Sequence, residues 1–147
     1  MFTLEFLGRL PYQDQWGQLH RGQKVVVPAR APLRAGGSLD LEFVLDTGSP
    51  WTIVDPSFLP NLAADALGEK QRVLLCGDEI VGQLFRVPLS FGEMDQEFLA
   101  IEATILFPIL APDQTWPHPN FLGLSALDRL RWALEPDTNQ FYYAPVG

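Results

Sequence analysis

From Ser38 to Asp46 the chain alternates polar and apolar residues with a period of two. Leu39, Leu41, Phe43 and Leu45 share one face and Asp40, Glu42 and Asp46 the other, the pattern of a β-strand with one side against a core. Upstream, Val25, Val27, Ala29, Ala31 and Leu33 fall on one face, with Arg30 and Arg34 opposite. Arg34-Ala35-Gly36-Gly37-Ser38 between the two runs is a turn signal, so the pair predicts a hairpin. Residues 71–91 predict a second hairpin, with its turn near Cys76-Gly77-Asp78. A third turn, Gly92 to Gln96, leads into a further strand-like run ending at Leu106. Four prolines between positions 107 and 120 make that stretch a loop. A chain punctuated this often by turns is a mostly β domain.

One helix is expected near the C-terminus. Ser125 has the character of an N-cap and Asp128 of a capping-box partner. Leu127, Leu130 and Leu134 follow at helical spacing, and Pro136 stops the run. Residues 139–145 read as a short aromatic strand.

The 147 residues fit a single domain, 1–147, large enough to bury a core without disulfides. Residues 1–22 form an N-terminal extension whose role the pattern leaves open. A formal charge of −8 disfavours nucleic acid and anionic membrane surfaces as partners. The start carries Glu5 and is broken at Gly8-Arg9, unlike a secretory signal, and no apolar stretch is long enough to span a bilayer. With one cysteine, Cys76, the expectation is a cytoplasmic protein free of intrachain disulfides. His20 and His118 lack metal-ligand spacing with each other or with a cysteine, and no metal or organic cofactor is implied.

The chemistry gathers at Asp46-Thr47-Gly48-Ser49. Apolar Phe43-Val44-Leu45 precedes it and Trp51-Thr52-Ile53-Val54 follows, so a carboxylate stands between two hydrophobic runs. Such a group must be hydrogen-bonded, paired or protonated. Chance alone yields this tetrapeptide in roughly one chain of this length in several hundred. Gly48 permits a tight turn with close backbone approach, and Thr47 offers a hydroxyl to lock it. A purely structural Asx turn is the plainer alternative for Asp46. For Cys76, packing is a better account than a nucleophile served by His20 or His118. Residues 123–127, Gly-Leu-Ser-Ala-Leu, match a serine nucleophile elbow only loosely. The rings of Trp51, Trp116, Trp132, Tyr142 and Tyr143 suit core or interface packing.

Val44-Leu45-Asp46-Thr47-Gly48-Ser49 resembles the fingerprint of aspartic proteases. Phe121-Leu122-Gly123 with the expected helix after it resembles the second element of that family, and the order of strand, Asp-Thr-Gly, hairpin, apolar-apolar-Gly and final strand agrees over residues 23–144. One such aspartate motif in a chain this short is similar to the retropepsin, single-domain branch. That resemblance implies a closed-barrel-like fold with one short C-terminal helix. It also implies an aspartic endopeptidase that works as a homodimer on a polypeptide substrate. Asp46 would be catalytic in each subunit, supported by Thr47, Gly48 and Ser49, with Cys76, Gly77 and Asp78 at the tip of a flap. The sequence departs from viral relatives at Pro50 and Leu124, where an aspartate and an arginine usually pair. A fold kept without catalysis, as a peptide-binding or dimerisation module, is the alternative these departures raise.

Overall fold

The computed structural model describes residues 2–5, 9–13, 19–75, 77–92, 99–135 and 140–146, with side-chain surroundings from residue 25 onward apart from the gaps. Its strands are β1 (Phe2–Glu5), β2 (Arg9–Gln13), β3 (Leu19–Pro32), β4 (Ser38–Leu45), β5 (Thr52–Ile53), β6 (Asp65–Leu75), β7 (Asp78–Phe91), β8 (Leu99–Pro108), β9 (Asn120–Leu122), β10 (Leu130–Glu135) and β11 (Gln140–Pro145). A 3₁₀ turn spans Pro56–Asn61, and the one α-helix among the described residues, α1, spans Leu124–Leu127.

Six strands close on themselves in the order β3-β4-β9-β5-β8-β7, making a barrel. The ring is completed where β7 returns to β3 through one residue pair, Arg30 with Ser90. Beside that seam the Arg30 guanidinium donates to the Gly92 carbonyl at 3.4 Å. Strands β2 and β6 extend the sheet beyond the ring, while β1, β11 and β10 form a separate three-stranded antiparallel sheet.

Inward-facing residues fill the barrel: Val27, Ala29, Leu41, Phe43, Val87, Leu89, Ile105 and Phe107 are all buried. Phe141 and Tyr143 of β11 join the same cluster, stacked with ring centroids 6.1 Å apart, so the small sheet packs on the barrel rather than standing apart. Where the alternation gives way to Phe43-Val44-Leu45, both faces of β4 are covered. Val44 turns away from the barrel core and joins a second cluster with Val26, Ile53, Leu75, Leu84, Leu106 and Phe121. A continuous apolar run is the expected signature of a strand buried on two sides.

The first hairpin forms as the alternation predicts, Val26 opposite Val44 through Pro32 opposite Ser38. The second joins β6 to β7, with Leu75 opposite Asp78 and Gly77 at φ 85° in the two-residue turn. A left-handed conformation of that kind favours glycine. The turn's other residue, Cys76, and positions 93–98 of the third expected turn lie outside the described residues.

The C-terminal helix differs from expectation. It ends after four residues, and Leu130–Glu135 is a strand whose partners in β11 run from Pro145 back to Gln140. Leu130, Trp132 and Leu134 satisfy a period of two as well as part of a helical period. Pairing with the aromatic strand decides between them, and Trp132 stacks on Phe141 at 6.2 Å. Pro136, expected to stop the helix, falls outside the described residues. The proline-rich loop is shorter than expected, residues 109–119, because β8 continues through Pro108 and β9 begins at Asn120.

Candidate active site

Strand β9 lies between β4 and β5, parallel to the first and antiparallel to the second. Val44 pairs with Phe121 and Leu45 with Leu122, while Ile53 meets Phe121 from the other side. The loop 46–51 must therefore leave β4, pass the end of β9 and return on its far flank. The two sequence elements singled out above, far apart in the chain, meet here.

Backbone bonds fasten the loop to the segment after β9. Asp46 N–H donates to the Leu122 carbonyl at 3.0 Å, Leu124 N–H to Ser49 at 2.9 Å and Ser125 N–H to Pro50 at 3.0 Å. The approach is so close that a Cβ on Gly123 would sit on the Trp51 carbonyl oxygen and 2.8 Å from that of Ser49. Glycine is required here by space, not by its torsion angles. Pro50 and Leu124 cannot form an ion pair, and main-chain hydrogen bonds join their segments instead.

Side chains complete the fastening. Thr52, fully buried, accepts from Gly123 N–H at 3.0 Å and donates to the same residue's carbonyl at 3.3 Å. Ser125 is not the helix cap expected of it. Gly123 holds that position, and no side chain caps the helix. The Ser125 hydroxyl instead accepts from Thr52 N–H at 2.8 Å and donates to the Thr104 carbonyl at 2.6 Å, tying β5, β8 and α1 together. Asp128 sits at the other end of the helix, as its C-cap, rather than serving a capping box. Sequence reasoning passed over Thr52; the one signal was a polar residue inside the apolar run Trp51–Val54.

The fastened loop presents Asp46. Its carboxylate Oδ1 accepts from Gly48 N–H at 3.2 Å, and Ser49 N–H donates to the Asp46 carbonyl at 3.2 Å, closing a tight turn. Ser49 Oγ donates to Trp51 O at 2.7 Å. Thr47 and Gly48, at the tip, are exposed. Beside the loop opens a cleft of about 650 Å³, walled by Asp46, Gly48, Ser49, Pro50 and Trp51, floored by Val44, Ile53 and Phe121, and bounded by Arg72 to Leu75 of the second hairpin. That hairpin is braced by Gly82, where a Cβ would overlap the buried Leu106 side chain. The arrangement is an oriented carboxylate at the edge of an apolar cleft beneath a β-hairpin.

Of the other expected site residues, Phe121, Leu122 and Gly123 lie in contact with the Asp46 loop. Gly77 and Asp78 sit at the hairpin turn, with Asp78 lining a separate pocket that also holds Trp116 and His118. Cys76 cannot be placed, being outside the described residues. His118 is buried, its ring 4.9 Å from that of Trp116. Among the described residues, no three His, Cys, Asp or Glu side chains converge, and no helix is long and apolar enough to cross a membrane. No protein-family model matches this chain, and no curated protein matches its sequence.

Proposed function

We propose that this chain is a retropepsin-like aspartic endopeptidase of the cytoplasm, active as a homodimer with one Asp46 from each copy. The observation that carries the reading is the oriented Asp46 carboxylate in a cleft roofed by a hairpin. An isolated carboxylate does not suffice for this chemistry. Peptide hydrolysis by this route needs two, sharing a proton, so that one draws a proton from water while the other donates to the scissile carbonyl. A second copy related by a two-fold axis supplies the missing group, and the exposed Thr47-Gly48 tip leaves the loop open to such a partner. An extended peptide fits the cleft as an added strand, its apolar side chains against Val44, Ile53 and Phe121.

Cleavage of a diverse peptide library by wild type and by Asp46→Asn, at several protein concentrations, tests this. Turnover by wild type alone, with specific activity rising with concentration, is the expected result. Peptide binding without turnover by either form would make the chain a silent binding module. Equal turnover by both would dismiss Asp46 from the chemistry.

A further inference from the structure

We propose that Arg72 selects peptides bearing a carboxylate side chain, and that Glu79 holds its guanidinium until the peptide's carboxylate replaces it. The inference rests on reading the Asp46 cleft as a peptide site and names the class of peptide it takes.

Among the described residues lining that cleft, the charged ones are Asp46 and Arg72. The chain as a whole carries −8, so an acidic peptide meets repulsion over most of the surface and a cation at this rim. Among the described residues, strand β6 is the outermost of its sheet, with one edge paired to β7. A peptide laid along the free edge presents alternate side chains to each face of the hairpin. Val73 and Leu75 face inward and pack on the second apolar cluster, so Arg72 belongs to the outward set.

The register explains how Arg72 waits. Leu74 lies opposite Glu79 and Arg72 opposite Val81, which places Arg72 and Glu79 diagonally on one face. Arg72 Nη1 stands 3.2 Å from Glu79 Oε1, with the two side chains 78% and 56% exposed. A pair this open to water contributes little to stability and exchanges partners readily. It is nonetheless a single guanidinium-to-carboxylate contact, the kind an incoming Asp or Glu would make. Glu79 is thus the resident stand-in for the substrate group.

The test uses the full chain carrying Asp46→Asn, with fluorescence anisotropy of apolar peptides that differ only in a Glu, Gln or Lys scanned along their length. At the position facing Arg72, the Glu peptide is expected to bind about three- to fivefold more tightly than the Gln peptide, and the Lys peptide more weakly. The preference should fade by about 0.5 M salt, as an exposed charge contact does. Arg72→Gln should bring the Glu and Gln peptides to equal affinity, and Glu79→Gln should enlarge the preference. Equal affinities at every position, absence of binding, or a Glu preference that survives Arg72→Gln would overturn the proposal. Cleavage by wild type, read on the same peptides, separates the two ideas. Binding with the Glu preference but no cutting ends the protease reading and keeps the role of Arg72; cutting blind to charge does the reverse.

Discussion

Gly123 carries more of this site than its size suggests. It lets two loops approach so closely that their carbonyls and amides bond directly, and any side chain there meets backbone rather than a yielding neighbour. Gly123→Ala is expected to cost about 3 kcal/mol, at the upper end for overpacking, because main chain must move. Urea unfolding should show the midpoint falling with an unchanged slope. Ser125 makes a contrasting case. Ser125→Ala removes the acceptor for Thr52 N–H and the donor to Thr104 O, a loss of about 1–3 kcal/mol, and loosens the return of the chain after Asp46. Both positions stood in the stretch that sequence reasoning marked. The role assigned to Ser125 was nevertheless wrong, because a hydroxyl before an apolar run looks like a cap until tertiary partners claim it.

At the scale of elements, the strands with clean alternation and strong turns were legible. The hairpin of β3 and β4 and the turn between β6 and β7 follow from residue pattern and glycine placement alone. Strands β5 and β9 were not, since two or three residues carry no period. Their existence depends on long-range pairing, which is also what brings Asp46 and Gly123 together. The motif was thus visible before the geometry that joins its two halves. Strand β10 shows the opposite failure, a six-residue run whose leucines fit two periods. Ala133, exposed and opposite Tyr142, offers a direct check. Ala133→Val should be neutral or stabilise by about 0.5 kcal/mol in a strand, whereas a helix would lose a similar amount. A fall in thermal midpoint would count against the strand.

For the molecule as a whole, the packing of the small sheet on the barrel sets a limit in alkali. Tyr143 lies inside the shared core, and burial pushes its phenol above the ordinary value of 10.0. The native chain therefore holds that proton where the unfolded chain gives it up. Below about pH 10 both states are protonated and the group is indifferent to pH. Above it, proton loss favours the unfolded state, and stability falls as pH rises. Denaturant midpoints measured from pH 8 to 11 should drop at the alkaline end, and Tyr143→Phe should flatten that limb. An identical drop in the variant would place its origin elsewhere.

The order of the small sheet bears on how the chain is made. Strand β11 lies between β1 and β10, so Phe2–Glu5 finds its partner in residues more than a hundred positions later. During synthesis the first strand emerges with no edge to join, and it waits until residues 140–145 have left the ribosome. Contacts of such long sequence separation are slow to close, so this sheet forms late in folding.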